Sequence, residues 1–238
     1  ELGYTLIDTA EIYDNEEEIG KSIRDIPREK LFITSKVYPD QLDYFRVLGA
    51  LEQSLARLQT SYLDQYLIHW PNKNFIMEEI LKAFNYLYLE GKIKSFGVSN
   101  FTINLLKEII PITKKLKLPI TVNQVEFHPF LYQKKILEFC KEHSIIIVAY
   151  SPLARGNVFH NQTLQEVARK YNKNPGQISL KWLIHKDIVV IPKASTIEHL
   201  QENQSLFDFQ LTHEDITRID AIKEQERLIN PRFAEFND

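Results

Sequence analysis

The chain has 238 residues, 44% of them apolar, which is enough to bury one substantial core in a single domain. Its 29 basic and 32 acidic residues are spread along the chain, so the charge pattern predicts neither a nucleic-acid surface nor a polybasic membrane patch. Because no apolar run approaches the ~20 residues that cross a bilayer and no segment reads as a signal peptide, we expect a cytoplasmic protein, active as a monomer on a small molecule.

Seven short runs of β-branched and apolar residues recur along the chain, and each predicts a buried parallel strand. In chain order the predicted strands are residues 5–10, 31–37, 63–70, 93–99, 121–127, 145–150 and 188–192. Amphipathic stretches between them predict crossover helices over residues 44–58, 78–90, 103–115 and 133–143. The only cysteine, Cys140, lies in the last of these helices, so we expect no intrachain disulfide and a reducing compartment.

This alternation of strands and helices fits either a doubly wound open sheet or a (β/α)8 barrel. An open sheet places its ligand at one switch point, whereas a closed barrel gathers all its strand ends around one mouth. Polar residues follow almost every predicted strand: Asp8, Lys36, His69, Ser99, Asn100, Gln124, Glu126, Tyr150, Ser151 and Lys193. We therefore predict an α/β protein with the (β/α)8 TIM barrel fold.

The predicted strands are one fewer than this barrel needs, and the start of the chain resembles the end of a helix with Gly3 as its left-handed cap. We therefore expect a single, N-terminally truncated barrel domain over residues 1–238, with the first strand and most of the first helix absent. No Gly-x-Gly-x-x-Gly or P-loop pattern occurs among the seven glycines, so a nucleotide must be held in another way. No metal site is expected.

Four residues lie at or just beyond the ends of the first three predicted strands, and we call them the quartet: Asp8, Tyr13, Lys36 and His69. Reduction of a carbonyl needs a proton at the oxygen, and a phenol can supply it, although a pKa of about 10 makes it a reluctant donor. A lysine charge would favour the phenolate, a carboxylate would keep that lysine protonated, and an imidazole would orient the oxygen. The quartet is therefore the candidate catalytic set.

Each member of the quartet also has an ordinary structural interpretation. Asp8 can cap a helix, and Tyr13 is one of 11 tyrosines. Lys36 can be a solvated lysine at a strand end, and His69 can be a core histidine with satisfied hydrogen bonds. The catalytic interpretation is favoured because the four residues fall at three successive strand ends, where one barrel mouth would collect them.

A series of motifs in chain order resembles the signatures of the aldo-keto reductase family. They are Ile7-Asp8-Thr9-Ala10, Tyr13 with Asn15-Glu16, Ser35-Lys36, Ile68-His69-Trp70-Pro71, Gly97-Val98-Ser99-Asn100-Phe101, Asn123-Gln124-Val125-Glu126, Ala149-Tyr150-Ser151-Pro152-Leu153 and Ile191-Pro192-Lys193. Within the family the chain is most similar to the bacterial 2,5-diketo-D-gluconate reductases, some of which reduce methylglyoxal. This finer similarity rests on the segments Arg227-Leu228-Ile229 and Phe236-Asn237-Asp238 and on the short segment of residues 72–77 that follows the histidine strand.

The resemblance implies an NADPH-dependent reductase of aldehydes, 2-oxoaldehydes or keto sugars on a (β/α)8 barrel. In it, Tyr13 is the general acid, the lysine and the aspartate of the quartet tune it, and His69 places the carbonyl oxygen. Tyr38 and Trp70 align with aromatic residues that line the substrate pocket, and they can equally be ordinary residues of the barrel rim.

The same resemblance assigns residues to the nicotinamide and to the pyrophosphate of the cofactor. The residues that match the family's nicotinamide contacts are Ser99, Asn100, Gln124 and the stacking aromatic Tyr150. Ser151 and Leu153, with the turn that follows them, match the pyrophosphate loop.

At the adenosine end the chain departs from the family pattern. The matched residues are Lys193, Ser195, Thr196, His199 and Asn203. Many members follow the lysine with a serine and carry an arginine further on, whereas here an alanine follows the lysine and His199 stands in the place of the arginine. A neutral imidazole holds a phosphate less well than a guanidinium group, so NADH is left open beside NADPH.

Two other hypotheses remain beside the reductase. The chain can be a cofactor-binding regulatory or catalytically impaired relative, although the complete quartet argues against this. It can also be a lyase that uses Lys36 as a Schiff-base nucleophile. A carboxylate next to that lysine would keep it charged and poorly nucleophilic, so the lyase ranks last.

Overall fold

The structure of the protein is a computed structural model that describes residues 2–74, 76–234 and 236. It forms two compact units, which are described separately. The first unit comprises Gly3–Asn123 and Arg232–Asp238, and the second comprises Glu1–Leu2 and Gln124–Pro231. The prediction of a single domain over residues 1–238 stays a prediction. Of the motif Phe236-Asn237-Asp238, only Phe236 lies within the described residues.

The strands of the described chain occupy the seven predicted positions, with ends that differ by a few residues. They are β1 (Leu6–Asp8), β2 (Phe32–Val37), β3 (Gln65–Ile68), β4 (Phe96–Ser99), β5 (Ile120–Glu126), β6 (Ile146–Tyr150) and β7 (Val189–Val190). Their order in the sheet is their order in the chain. The short apolar runs therefore predicted the positions of the strands correctly. Strands β2 to β6 are largely buried, which is why such runs mark them. The expectation of a buried strand is wrong for β1 and β7, which are exposed to half-buried because they stand at the two ends of the strand order.

In the first unit, β1 to β4 form parallel pairs, so their carboxyl ends lie at one edge. Asp8 pairs in register with Thr34, and Lys36 pairs with Leu67. The ladder continues past the end of β3, since the backbone N–H of His69 donates to the last carbonyl of β2 at 3.0 Å. This register places three members of the quartet on adjacent strands.

Four helices of the first unit follow these strands: α1 (Glu16–Ile23), α2 (Tyr44–Leu58), α3 (Met77–Leu89) and α4 (Ile103–Leu116). Helix α2 has the bounds predicted from the sequence because both its ends carry clear signals. The Asp43 carboxylate caps its start by accepting from the backbone N–H of Arg46 at 2.9 Å, and Gln59 ends it in the left-handed conformation. The sequence pattern did not predict α1, which is only eight residues long.

The second unit contains the helices α5 (Lys134–Glu142), α6 (Gln162–Tyr171), α7 (Pro175–His185), α8 (Ile197–Gln204) and α9 (His213–Asp220). The strands β6 and β7 pair in parallel. The buried Glu126 carboxylate lies 2.9 Å from Nε2 of His128 and accepts the backbone N–H groups of Leu228 and Ile229 at 2.7 and 2.9 Å. Glu126 therefore anchors the Arg227-Leu228-Ile229 segment, and Cys140 is buried in α5.

The core of the first unit includes a fully buried aromatic cluster between strands and helices. The Phe84 ring lies 5.3 Å from that of Tyr66 and 4.7 Å from that of Phe96, measured between ring centres. Such offset pairs stabilise a core beyond the area they bury. Among the described residues, none of the helices is both long enough and apolar enough to cross a membrane.

Candidate active site

The quartet residues all lie at the carboxyl edge of β1 to β3. Asp8 is the last residue of β1, Lys36 is the last but one residue of β2, and His69 directly follows β3. Tyr13 ends a short 3-10 turn, Glu11–Tyr13, that leaves β1. The four residues predicted to lie at or beyond strand ends are thus found at one edge of the sheet in the first unit.

Lys36 forms a buried ion pair with Asp8. Its side chain is fully buried, and Nζ lies 2.5 Å from Oδ1 of Asp8 and 2.8 Å from the carbonyl oxygen of Thr9. Burial lowers the pKa of Lys36, while the Asp8 carboxylate opposes that shift. Removal of one partner would leave the other as an uncompensated buried charge, which is strongly destabilising. The pair therefore holds a cation at a defined place behind the other two members of the quartet.

Tyr13 and His69 face each other in front of this ion pair. The phenol oxygen lies 3.5 Å from Nε2 of His69, and the rings meet edge to face with their centres 5.6 Å apart. Nζ of Lys36 lies 5.2 Å from the centre of the Tyr13 ring. Tyr13 as a whole residue is 48% exposed. The structure therefore brings all four members of the quartet together.

The electrostatics of Tyr13 differ from the sequence-based expectation. Burial and the Asp8 carboxylate raise the pKa of Tyr13 to about 12, although the nearby Lys36 was expected to lower it. The physical reason is that the lysine charge is already compensated by Asp8, so the loss of hydration around the phenol outweighs it. In the ligand-free protein the phenol therefore keeps its proton throughout the neutral range.

His69 is held in its uncharged form. Burial and the neighbouring Lys36 charge lower the pKa of His69 to about 3. Within the described part of the chain, Nδ1 of this buried ring has no hydrogen-bond partner, so no carboxylate stabilises an imidazolium. A neutral imidazole and a protonated phenol thus stand side by side, and together they can hydrogen-bond one oxygen.

Two glutamates support the quartet. Glu16 was part of a motif quoted from the sequence but had no predicted role, and Glu11 was missed. The buried Glu16 carboxylate accepts from the Ser35 hydroxyl at 2.5 Å and from Nε of Arg57 at 2.8 Å, which ties α1 to β2 and α2. The Glu11 carboxylate accepts the backbone N–H of Tyr38. A signal for Glu16 existed, since it lies three, four and seven residues before Ile19, Gly20 and Ile23 and so shares the apolar face of α1.

A cleft of about 580 Å³ opens beside Tyr38 in the first unit. The Tyr38 ring lies edge-on to the His69 ring with 6.2 Å between their centres, so this wall of the cleft contacts the quartet. Trp70 is buried and meets the exposed Phe233 ring at 5.7 Å between centres. The residues lining the cleft are Tyr38, Pro39, Asp40, Pro71, Asn72, Lys73, Asn74, Thr102, Asn104, Leu105, Glu108 and Phe233. Substrate contact by Tyr38 and Trp70 stays a prediction.

Two of the predicted cofactor residues lie in the first unit, directly behind His69. Ser99 ends β4, and Asn100 follows it in the left-handed conformation with φ 63°. The Asn100 amide nitrogen lies 3.1 Å from the carbonyl oxygen of His69 and 3.0 Å from the Ser99 hydroxyl. Both side chains are buried. They fit polar recognition next to the quartet, and their role in cofactor binding stays a prediction.

The other predicted nicotinamide and pyrophosphate residues lie in the second unit. Gln124 is buried in β5, and Tyr150, at the end of β6, is half-buried. After it the backbone adopts positive φ at Ser151 and then at three consecutive residues that follow Leu153, namely Ala154, Arg155 and Gly156. The backbone N–H groups of Ala154 and Gly156 donate within this turn, to the carbonyl oxygens of Ser151 and Leu153, both at 2.8 Å. Binding of a pyrophosphate by this segment stays a prediction.

The predicted adenosine residues lie around the start of α8. Lys193, Ser195, Thr196 and His199 are exposed, and Asn203 is half-buried in the helix. The Thr196 hydroxyl caps α8 by accepting the backbone N–H of His199 at 3.2 Å, so this hydroxyl has a structural task of its own. Across the described residues, no group of three or more histidine, cysteine or acidic side chains is arranged to hold a metal ion.

Comparison with known proteins identifies the family of this chain. The sequence model of the aldo/keto reductase family matches residues 1–224. The glyoxal reductase of Bacillus subtilis is 44% identical over 228 residues, which are 95% of this chain and 81% of that protein. A crystal structure assigned to a 2,5-diketo-D-gluconic acid reductase B is 33% identical, with a TM-score of 0.94 over 100% of this chain and 85% of that chain. An aldo-keto reductase solved in complex with NADPH is 32% identical, with a TM-score of 0.91 over 98% of this chain and 78% of that chain.

These similarities confirm the predicted fold class, an α/β barrel fold of which seven strands lie in the described chain, and they confirm the resemblance on which the sequence analysis relied. They also agree with the quartet geometry, which suits the reduction of a carbonyl group. The chain is an oxidoreductase and belongs to the aldo/keto reductase family.

Proposed function

We propose that the protein reduces aldehydes, 2-oxoaldehydes or keto sugars to alcohols with NADPH, and that Tyr13 is the general acid. The observation that carries this proposal is the 3.5 Å approach of the Tyr13 hydroxyl to Nε2 of His69, in front of the buried pair of Lys36 and Asp8. A carbonyl oxygen between the phenol and the imidazole would meet two hydrogen-bonding groups at once.

The charge states of these groups support proton delivery. The raised pKa of Tyr13 keeps the proton on the phenol until an oxygen more basic than the phenolate forms beside it. The lowered pKa of His69 keeps the imidazole neutral, so it can orient that oxygen without competing for the proton. Lys36, with Nζ 5.2 Å from the centre of the ring, then offsets part of the charge on the phenolate that is left behind, since Asp8 balances the rest of the lysine charge.

NADPH, when bound, would supply the hydride for this reduction. Support comes from the relative solved with NADPH and from the polar residues that flank the quartet. In this proposal the carboxamide is held by Ser99, Asn100 and Gln124, the nicotinamide ring by Tyr150, the pyrophosphate by Ser151 and Leu153, and the adenosine end by Lys193, Ser195, Thr196, His199 and Asn203. NADH stays open as a second cofactor because an imidazole replaces the expected guanidinium.

The substrate in this proposal is a small carbonyl compound. The glyoxal reductase relative is named for a small dicarbonyl compound, and the cleft beside Tyr38 has the volume of an ordinary small-molecule site. Aromatic and proline side chains line part of that cleft, which suits a compact organic molecule. We also propose that the protein acts as a cytoplasmic monomer.

The test is oxidation of NADPH in the presence of methylglyoxal by the wild type and two tyrosine variants. We expect turnover by the wild type and a loss of at least about 100-fold in kcat for Tyr13→Phe, the size of a general-acid contribution. Tyr86→Phe is the matched control, since Tyr86 is half-exposed on α3, and we expect it to stay within about twofold of the wild type.

Two outcomes would contradict the proposal. One is a Tyr13→Phe variant that turns over as fast as the wild type, which would remove the phenol from the chemistry. The other is a wild type that binds NADPH, as followed by tyrosine and tryptophan fluorescence, and yet reduces no carbonyl compound. That result would favour the regulatory or catalytically impaired relative.

A further inference from the structure

We propose that Glu11 is a positioning residue that couples the general acid Tyr13 to the substrate-facing wall formed by Tyr38. The inference rests on the proposed function, since it gives a task to a side chain that flanks the same site. Its basis is a hydrogen bond from the backbone N–H of Tyr38 to the Glu11 carboxylate, which joins two segments 27 residues apart in the chain.

On one side, Glu11 is part of the turn that carries the phenol. It is the first residue of the 3-10 turn Glu11–Tyr13, and the backbone N–H of Tyr13 donates to the carbonyl of Ala10 at 3.0 Å. Asp14 then takes the left-handed conformation with φ 53°, which ends the turn. A displacement of Glu11 is therefore passed on to Tyr13 through a single short turn.

On the other side, the N–H group that donates to Glu11 belongs to Tyr38, the first residue after β2. Tyr38 follows the last residue of that strand, and its side chain both lines the cleft and meets the His69 ring edge-on. A backbone N–H beyond the end of a strand needs a partner outside the ladder. The Glu11 carboxylate supplies that partner, and it thereby fixes where the Tyr38 ring stands relative to the imidazole.

The surroundings of Glu11 are unfavourable for a carboxylate, which argues that the hydrogen bond has a purpose beyond local stability. Burial raises the pKa of Glu11, and the carboxylates of Glu16 and Asp40 raise it further. Only the Tyr38 amide and the Arg57 guanidinium act in the opposite direction. These groups come from α1, α2 and the segment after β2. On β3, the buried Tyr66 hydroxyl also faces this charge, since burial and the Glu11 carboxylate raise the pKa of Tyr66.

Coupling of this kind predicts a kinetic signature that a merely structural contact would lack. Loss of the bond frees both the acid and the wall, so kcat falls through Tyr13 while KM rises through Tyr38. Protonation of Glu11 at low pH weakens the same bond. When kcat/KM of the wild type is measured against pH, it should therefore fall at low pH, and the pKa of this acid limb should lie above the ordinary 4.5 of a glutamate.

The experiment compares Glu11→Ala and Glu11→Gln with Glu18→Ala in NADPH-dependent reduction of methylglyoxal. Glu18 is an exposed glutamate in α1, the helix that follows the turn of Glu11. We expect Glu11→Ala to lose about tenfold or more in kcat/KM, shared between kcat and KM. Glu11→Gln keeps an acceptor oxygen, so it should recover to within about threefold of the wild type and lose the acid limb. Glu18→Ala should match the wild type.

A second readout does not depend on activity and separates failure of this inference from failure of the proposed function. Amide exchange followed by NMR should show faster exchange at the Tyr38 N–H and a displaced His69 ring resonance in Glu11→Ala, with neither change in Glu18→Ala. Unchanged exchange and an unchanged ring resonance would overturn the inference even in an inactive protein. Two further results in an active protein would also overturn the inference. One is a Glu11→Gln variant whose kcat/KM still falls at low pH as in the wild type, and the other is a folded Glu11→Ala variant with wild-type kcat and KM.

Discussion

At the scale of single residues, His69 shows how burial decides the charge of a side chain in the site. The residue is 8% exposed, and its pKa falls from 6.5 to about 3 because burial and the Lys36 charge both oppose protonation. An unfolded chain would titrate this histidine near 6.5. Between about pH 3 and pH 6.5 the folded state therefore binds fewer protons than the unfolded state, so stability falls as the pH falls through this window.

This difference predicts an acid sensitivity that His69→Asn would lack. Each pH unit below about 6.5 should cost the wild type about 1.4 kcal/mol of unfolding free energy through this group, or about 2 to 3 kcal/mol at a pH of about 4.5. Urea denaturation at neutral pH and at about pH 4.5 measures the effect as a smaller pH dependence in His69→Asn. His160→Asn, at an exposed position, should follow the wild type. A His69→Asn variant as acid-sensitive as the wild type would contradict a buried neutral imidazole.

Tyr13 marks the limit of what the sequence could predict about the site. The strand-end spacing identified the residue and its neighbours, because parallel strands deliver their ends to one edge whatever the details of packing. It could not predict the raised pKa, which depends on how much water the folded chain removes from the phenol and on how closely Asp8 compensates Lys36. Both are properties of the packed structure.

At the scale of elements, local signals determine how well a helix can be predicted. The bounds of α2 follow from the cap at Asp43 and the left-handed Gln59, both of which are local features. Helix α1 spans only eight residues, which is too short for a repeating apolar pattern to be recognised in the sequence. The strand ends differ from the prediction by a few residues because a sequence pattern determines element ends least well. Thr9 and His69, for example, still donate to the neighbouring strand just beyond the ends of β1 and β3.

The contact between α1 and α2 gives a prediction with a matched control. A Cβ atom on Gly20 would lie 2.6 Å from the carbonyl oxygen of Arg57 and 2.8 Å from the backbone of Leu58, so the two helices would have to separate. We expect Gly20→Ala to lower the free energy of unfolding by about 1 to 3 kcal/mol. Gly49→Ala, in the middle of α2 with no atom within 4 Å of the added Cβ, should raise it by about 0.5 to 1 kcal/mol.

Urea unfolding of the two alanine variants measures both changes on one scale. Because the two substitutions add the same methyl group to helical glycines, their difference isolates the close approach at Gly20 from helix propensity. A Gly20→Ala variant that gains as much stability as Gly49→Ala would show that α1 does not press against the end of α2.

At the scale of the whole molecule, the sequence predicted the fold and the family better than it predicted the residues that contact ligands. Seven apolar runs and the ordered motifs identified an α/β barrel of the aldo/keto reductase family, because these features repeat along the chain. The adenosine end was harder to predict, since exposed residues such as Lys193 and His199 leave no periodic pattern and one hydroxyl there caps a helix instead. Glu11 was missed for a similar reason, as its partner is a backbone amide.

The most direct test of the central claim is the rate of a single turnover in H2O and in D2O, with the protein and NADPH premixed and methylglyoxal added. If the phenol of Tyr13 gives its proton to the oxygen as hydride arrives, the rate constant for oxidation of NADPH is smaller in D2O for the wild type and for Tyr86→Phe. The same reaction is at least about 100-fold slower in Tyr13→Phe. Equal wild-type rate constants in the two solvents would contradict the account, because no proton would then move in the step that reduces the carbonyl.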